Sequence, residues 1–246
     1  MFSEHQIKTY AIILSGGIGA RLKGLDIPKQ YHRIHGKTIL SYCVDRMEQA
    51  SCVDAYLITA ATEWQEFILQ ERNQSMKTDK PAANKFLGFA PPGENRQLSI
   101  LHGLQKLKNI AKEQDIILIQ DAVRPLTSEI LISRCVEAAK SADGAMPMLP
   151  MTDTVYYSKD GTKVDALLDR DKIIAGQAPE AFVYGAYLRA NEALSYDEIL
   201  SVKGSTEPAV KAGMKIALLD GEAGNFKITT AEDLKQFEKQ MEDCSI

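Results

Sequence analysis

The chain has 246 residues, of which 45% are hydrophobic and 25% charged, and its formal net charge is −4. This length suits one large α/β domain or two small ones, and the negative charge argues against a general nucleic-acid or membrane-surface binder. The four cysteines show no CxxC spacing and no apolar run is long enough to span a membrane, so we expect a cytoplasmic protein with reduced thiols.

The first predicted element is residues 10–14, an apolar run typical of a buried parallel strand. A glycine-rich loop follows at residues 15–19, and we expect its glycines to adopt positive φ and to let a ligand approach the backbone. Free N–H groups in such a loop bind anions, and Arg21 and Lys29 add positive charge. The loop therefore predicts a triphosphate site, with an ordinary glycine turn as the alternative. The predicted nucleotide-binding residues here are Ser15, Gly16, Gly17 and Gly19.

The next segments alternate between strand and helix patterns. We predict a strand at 53–60, a helix at 63–75 and a short strand at 85–90. A further helix begins near residue 96, and Gly93, Arg96 and Ser99 lie at or just inside its N-terminus. Backbone N–H groups and the helix dipole favour an anionic or polar ligand there, and a solvated helix cap is the alternative.

The clearest strand is residues 115–120, DIILIQ, which is followed directly by Asp121. Ligands of doubly wound sheets bind at the carboxyl ends of the strands, and Mg²⁺ commonly joins one or two carboxylates to substrate phosphates. We therefore predict that Asp121 binds Mg²⁺ beside the glycine loop. A strand-end aspartate that caps a helix is the alternative.

The second half departs from regular alternation. Residues 144–151 contain two prolines, which predicts a strand near an edge of the sheet or a bent one. Residues 153–164 read as a β-hairpin turning at Asp160-Gly161, and projecting hairpins of this kind are often subunit arms. Further along, we predict a helix at 184–194, a strand at 214–220 and a last helix capped by Thr230 and Asp233.

Seven short motifs, in this order, resemble those of cytidylyltransferases of the methylerythritol-phosphate and ribitol-phosphate type, over residues 10–234. The motifs are Gly16-Gly-Ile-Gly-Ala-Arg21, Pro28-Lys-Gln-Tyr31, Gly93-x-x-Arg96-x-x-Ser99, Asp121-Ala-Val-Arg-Pro125, Asp153-Thr154, Gln177-Ala-Pro-Glu180 and Asn225-x-Lys227-Ile-Thr229. The resemblance implies an α/β fold, with a Rossmann-like, mostly parallel sheet, flanking helices and a protruding β-arm. It implies one nucleotidyltransferase domain over residues 1–246, which forms a homodimer through an arm at about 152–176.

The resemblance also implies the reaction and the site residues. CTP and a polyol phosphate would give a CDP-polyol and pyrophosphate, with Mg²⁺ held at Asp121. Arg21, Lys29 and Lys227 are the implied catalytic residues, although Lys227 could be merely an exposed lysine. The implied nucleotide-binding residues include Gly93, Arg96, Ser99 and Asp121. The implied acceptor-binding residues are Arg124, Thr154 and Arg170.

Several positions differ from the usual pattern of the methylerythritol-phosphate enzymes. The glycine loop begins Ser15-Gly-Gly instead of Ala-Ala-Gly, and Tyr156 and Tyr157 stand where a lysine is usual. Gly176 is more like the ribitol-phosphate branch, and Glu180 ends a segment that usually reads Gln-Thr-Pro-Gln. We therefore expect a ribitol 5-phosphate-like acceptor. The alternatives are the methylerythritol-phosphate reaction of isoprenoid synthesis and a nucleotide-binding dimer without turnover.

Overall fold

A computed structural model describes residues 6–17, 27–75 and 84–243 of the chain. The strands in this part are β1 (Thr9–Leu14), β2 (Arg33–Ile34), β3 (Lys37–Thr38), β4 (Ala55–Thr59), β5 (Phe86–Ala90), β6 (Ile116–Asp121), β7 (Gly144–Pro150), β8 (Val155–Tyr157), β9 (Ala166–Leu168), β10 (Ile174–Gly176), β11 (Glu180–Val183) and β12 (Ile216–Asp220). The helices are α1 (Ile39–Gln49), α2 (Thr62–Ser75), α3 (Arg96–Lys106), α4 (Glu129–Lys140), α5 (Tyr184–Glu192), α6 (Tyr196–Ser201), α7 (Thr206–Lys211) and α8 (Ala231–Asp243). None of these helices is long and apolar enough to cross a membrane.

Eight strands form one mixed sheet in the order β10-β7-β11-β6-β1-β4-β5, and β12 pairs with the free side of β7. Strands β10 and β11 are antiparallel to their neighbours, and the other six strands share one direction. The predicted α/β class with a mostly parallel sheet and flanking helices is confirmed. The parallel register places Leu14 beside Asp121, so that β1 and β6 end at the same edge.

The sheet is buried on both faces, as its continuous apolar strands predict. On one face Ala11 and Ile13 of β1 pack with residues of α1, α2 and α4. On the other face Tyr10 and Ile12 pack with residues of α3 and α5. Because successive side chains of a strand point to opposite faces, one short strand anchors both helix layers. The ends of β1 and β6 are thereby held rigidly.

Two features of the sheet were not specified by the sequence. The strand predicted at residues 144–151, near an edge or bent, is β7, which lies one position inside the edge strand β12 and pairs with β11 and β10 on its other side. Pro147 has no N–H to donate, and its carbonyl accepts a hydrogen bond from the Gln177 N–H. Strand β11 was not predicted, since its four residues show neither alternation nor a long apolar run.

The predicted hairpin is present as β8 and β9, which form a separate two-stranded antiparallel sheet. It exposes three large apolar side chains: Tyr156, Tyr157 and Leu167 are 57%, 51% and 66% exposed. An apolar surface on such a small two-stranded unit is typical of a surface that packs against something else. The role of this hairpin as a dimerisation arm stays a prediction.

Candidate active site

The predicted site lies at the carboxyl-terminal edge of the sheet, where β1 and β6 end side by side. The Ser15 N–H donates to the Thr59 carbonyl and the Ala122 N–H donates to the Leu14 carbonyl, which continues the strand pairing past both ends. The glycine loop therefore leaves β1 next to Asp121. This is the edge at which open α/β sheets bind their ligands.

Asp121 is the centre of a cluster of three cations. Its Oδ1 lies 3.2 Å from Arg96 Nε, and its Oδ2 lies 3.0 Å from Lys227 Nζ and 3.4 Å from Arg124 Nε. Arg96 begins α3, Arg124 follows β6, and Lys227 lies between β12 and α8. Four of the predicted site residues are thus brought together from three separate parts of the chain.

The pKa of Asp121 shows which effect dominates in this cluster. Burial by itself would raise the pKa, because it removes water from the charged form. Arg96, Lys227 and Arg124 together outweigh that effect and hold the pKa of the Asp121 carboxyl well below its usual range. Asp121 is therefore ionised at neutral pH, as a metal ligand must be.

Glu180, at the start of β11, is a second buried carboxylate in the cluster. Its Oε2 lies 3.4 Å from Arg96 Nη2 and also accepts a short hydrogen bond from the Ser205 hydroxyl. Burial raises the pKa of Glu180 to about 7, since the neighbouring Arg96 lowers it only in part and the charge of Asp121 raises it further. Glu180 can therefore change its charge near neutral pH. The sequence motif contained this residue, but no role was predicted for it.

The backbone conformation of the glycine loop differs from the prediction. The expectation of positive φ is wrong for Gly16 and Gly17, neither of which lies in the left-handed region. The reason for a glycine at position 16 is steric, because a Cβ atom there would lie 2.3 Å from Pro92 Cβ. A Cβ atom at Gly17 would meet open space. Gly19 and Arg21 lie outside the described residues, so their predicted roles stay predictions.

Ser15, predicted to bind the nucleotide, and Lys29, predicted to be catalytic, are both buried. The Ser15 hydroxyl donates to Tyr31 Oη at 3.2 Å, within the protein. Lys29 Nζ donates to the Ile228 carbonyl at 2.7 Å, and only 8% of the residue is exposed. Lys29 therefore ties the segment after the glycine loop to the segment that carries Lys227.

The turn before α3 contains Gly93 and Ser99. Asn95 is the N-cap of α3 and its side chain accepts from the Leu98 N–H, so the capping alternative holds for that residue. The Ser99 hydroxyl accepts from the Gly93 N–H at 2.9 Å. A Cβ atom at Gly93 would lie 2.5 Å from Leu98 Cβ, so the turn requires glycine. Binding of the nucleotide by Gly93 and Ser99 stays a prediction.

The predicted acceptor residues are divided between two places. Arg124 belongs to the Asp121 cluster, whereas Thr154 and Arg170 are exposed residues of the arm region. Arg170 Nη1 donates to the Thr152 carbonyl at 2.9 Å. Among the residues that the structure describes, neither Thr154 nor Arg170 contacts the Asp121 cluster of the same chain. Their predicted contact with an acceptor phosphate stays a prediction.

Asn225 holds the cluster in place and was not predicted as a site residue, although it begins the last motif. It is fully buried; its side chain donates to the Ala178 carbonyl at 2.7 Å and accepts from the Thr127 hydroxyl at 2.9 Å. Its own carbonyl accepts from Arg124 Nη1 at 2.6 Å. Asn225 thus fixes both the position of Arg124 and the start of the segment that reaches Lys227.

The sequence over most of its length matches a known family. Residues 9–243 match the family described as "IspD: 2-C-methyl-D-erythritol 4-phosphate cytidylyltransferase". The chain belongs to this family. It is a cytidylyltransferase, and so a nucleotidyltransferase, as its sequence motifs predicted.

Individual relatives carry two different names. The cytidylyltransferase is 28% identical to ribitol-5-phosphate cytidylyltransferase of Streptococcus agalactiae over 92% of both chains. It is 30% identical to 2-C-methyl-D-erythritol 4-phosphate cytidylyltransferase of Geobacter metallireducens, over 92% of this chain and 94% of the other. Among solved structures, 2-C-methyl-D-erythritol 4-phosphate cytidylyltransferase of Francisella tularensis superposes with a TM-score of 0.76 at 25% identity, covering 95% of this chain and 99% of that one.

Replacing Glu180 by glutamine should change the pH dependence of stability. The pKa is about 7 in the folded protein, above the ordinary 4.5, so ionisation of Glu180 weakens the wild type as pH rises through this range. The unfolding free energy of Glu180→Gln, relative to wild type, should therefore increase by up to about 3 kcal/mol between pH 5 and pH 8. Urea unfolding at both pH values measures this difference. The same pH dependence of the unfolding free energy in Glu180→Gln and wild type would contradict this prediction. Glu137→Gln, at an exposed glutamate, is the control and should follow the wild type.

Proposed function

We propose that this cytidylyltransferase transfers CMP from CTP to a phosphorylated polyol that resembles ribitol 5-phosphate. The products are a CDP-alditol and pyrophosphate. The observation that carries the proposal is the cluster of Arg96, Arg124 and Lys227 around Asp121, directly beside a glycine loop. Local positive charge in a protein of net charge −4 favours a polyanionic substrate at this one edge of the sheet.

The chemistry that we propose needs no strong general base. A phosphate oxygen of the acceptor attacks the α-phosphorus of CTP, the new P–O bond forms, and the bond to the β-phosphate breaks to release pyrophosphate. The attacking oxygen is already ionised at neutral pH, so alignment and charge stabilisation supply the catalysis. Lys227 is a described residue suited to this, because its ammonium group lies 3.0 Å from Asp121 Oδ2 and its side chain is 31% exposed. Arg21 and Lys29 are the other proposed catalytic residues.

A Mg²⁺ ion at Asp121 would replace at least one of its cation contacts, because both carboxylate oxygens lie within 3.4 Å of Arg96, Arg124 or Lys227. Among the described residues no group of three or more His, Cys, Asp or Glu side chains could hold a metal ion. Mg²⁺ commonly uses one or two carboxylates together with substrate phosphates, so one ionised aspartate beside a triphosphate site suits a cation that arrives with CTP. Bound there, Mg²⁺ would offset negative charge on the phosphates. We propose Asp121 as its protein ligand.

The choice of acceptor depends on the arm side of the site. Gly176 before Gln177 supports a ribitol 5-phosphate-like acceptor, as does the similarity to the streptococcal enzyme. The family description and the Geobacter relative support 2-C-methyl-D-erythritol 4-phosphate as a second candidate. We propose that the reaction takes place in the cytoplasm, which fits the free thiols of Cys43, Cys52 and Cys135.

The acceptor is tested by measuring pyrophosphate release with CTP, Mg²⁺ and each of the two acceptors in parallel. We expect release with both CTP and Mg²⁺ present, a higher kcat/KM with ribitol 5-phosphate, and no release when EDTA removes the metal. A higher kcat/KM with 2-C-methyl-D-erythritol 4-phosphate would assign the second function. Turnover with ATP but not with CTP would contradict the nucleotide assignment.

Replacing Lys227 by methionine should remove a cation from the reacting phosphates while keeping the length of the side chain. We expect kcat to fall by roughly 10²- to 10³-fold, with CTP binding retained to within about tenfold. Lys215→Met, at an exposed lysine before β12, is the matched control and should keep full activity. Wild-type kcat in Lys227→Met would show that Lys227 is not catalytic.

We also propose that the arm joins two subunits into a homodimer and that Thr154 and Arg170 meet the acceptor phosphate across the interface. This arrangement would give an active-site role to two exposed residues that make no contact with the Asp121 cluster in the described part of their own chain. It also explains the exposed apolar side chains of β8 and β9, which a partner subunit would cover. Each site would then contain residues from both chains.

The arm proposal is tested with Leu167→Asp, which places a charge on the apolar surface of β9. A charge buried without a partner is strongly unfavourable, so we expect a monomer in sedimentation-velocity runs and a raised KM for the acceptor. Ile110→Asp makes the same change at an exposed apolar residue outside the arm and should leave the dimer intact. A dimeric Leu167→Asp, or a monomeric wild type, would rule out the arm as the interface.

A further inference from the structure

Gln30, which was not predicted as a site residue, is hydrogen-bonded twice to the glycine loop. It is the middle residue of the 3-10 turn Lys29–Tyr31 and is only 4% exposed. Its side-chain amide nitrogen donates to the Ser15 carbonyl at 2.7 Å and to the Gly17 carbonyl at 2.8 Å. Both donors of one amide group are thus used on two carbonyls of the same loop.

The backbone N–H groups of the loop are in the opposite situation. Within the described part of the chain, the N–H groups of Gly16 and Gly17 donate to no protein acceptor, and both glycines are accessible. In the described part of the loop, the Ser15 and Gly17 carbonyls are therefore occupied, while the Gly16 and Gly17 N–H groups are available. A backbone segment with this polarity attracts anions, whereas a carbonyl turned towards a phosphate would repel it.

We propose that Gln30 is a positioning residue that orients the peptide groups of the glycine loop for the phosphates of the nucleotide. The proposal rests on the proposed function, because it assigns the phosphates of CTP to this loop. It adds a residue and a mechanism to that function. Gln30 acts by holding the Ser15 and Gly17 carbonyls away from the phosphate side, and it need not touch the substrate.

The surroundings of Gln30 make it rigid enough for this role. The neighbouring Tyr31 is almost fully buried, its ring stacks on Trp64 with centroids 4.5 Å apart, and its hydroxyl lies 3.2 Å from the Ser15 carbonyl. On the other side Lys29 is bonded to the Ile228 carbonyl. The 3-10 turn is therefore anchored at both ends, and its central amide has a fixed position relative to the loop.

The chemistry of the side chain distinguishes glutamine from its closest replacements. Glutamate has a similar shape but cannot donate when ionised, and its charge would repel both carbonyls. Methionine fills a similar volume but removes both amide donations, so that the Gly17 carbonyl loses its donor and the Ser15 carbonyl keeps only the Tyr31 hydroxyl. Asparagine keeps the amide but is one methylene shorter. All three should disturb the loop, for three different reasons.

The test is to measure dissociation constants of Gln30→Met for CTP, inorganic pyrophosphate and CMP in the presence of Mg²⁺, by calorimetry. If Gln30 orients the loop for phosphates, the affinity for CTP and pyrophosphate should fall by about tenfold or more, and that for CMP by less than about twofold. Gln30→Glu should lose more affinity for CTP than Gln30→Met. If Gln30 acted only in folding, the variant would have a lower melting temperature, and any loss of affinity would be the same for CTP, pyrophosphate and CMP.

Gln65→Met is the matched control, because the Gln65 amide also donates to a backbone carbonyl, that of Ala60 just after β4. It should leave all three dissociation constants unchanged. If Gln30→Met does not fold, Gln30→Asn provides the same comparison with a polar side chain. The proposal is overturned if either folded Gln30 variant binds CTP and pyrophosphate as the wild type does, or loses CMP affinity equally.

Binding measurements on the wild-type protein distinguish a failure of this proposal from a failure of the proposed function. Wild-type protein that binds pyrophosphate but not CTP would contradict the cytidylyl assignment, and the effect of Gln30 on pyrophosphate affinity would still decide the present proposal. Wild-type protein that binds neither would overturn both. Wild-type binding of CTP with no change in the variant would overturn only the role of Gln30.

Discussion

The interaction on which the site depends is the contact of one buried carboxylate, Asp121, with three cations. A carboxylate without partners would not remain ionised in this position, because burial favours its protonated form. Arg96, Arg124 and Lys227 reverse that effect. Since these cations come from α3, from the loop after β6 and from the segment before α8, the charge of Asp121 also fixes how those parts are placed.

The cluster has more positive than negative charge, and this excess is what makes it suitable for a polyphosphate. Three cations face two carboxylates, Asp121 and Glu180, so the group has a net charge of +1 when Glu180 is ionised and +2 when it is protonated. Ion pairs inside a protein contribute little net stability, because the cost of removing water is nearly as large as the attraction. Their value here lies in cations that are already oriented before the substrate arrives.

The glycine loop and the Asp121 cluster are coupled through the turn Lys29–Tyr31. Gln30 contacts the loop and Lys29 contacts Ile228, one residue after Lys227 in the chain. A displacement of the loop would therefore be transmitted to the segment that carries Lys227, because both are bonded to one short rigid turn. This coupling gives a physical reason why the Pro28-Lys-Gln-Tyr31 motif accompanies the glycine loop in the sequence.

The sequence by itself determined the elements and residue types with strong local signals. The apolar runs of β1 and β6, the cap of α8, and the presence of a hairpin that turns near Asp160-Gly161 follow from periodicity and turn chemistry, and the order of the seven motifs identified the family. It did not reveal β11 or the internal position of β7, because pairing partners decide whether a short strand is central. Only the tertiary structure decided that Gly16 is required by Pro92, that Glu180 shares Arg96 with Asp121, and that Gln30 holds the loop. These are contacts between residues 25 to 84 positions apart or between side chain and backbone, and no local pattern records them.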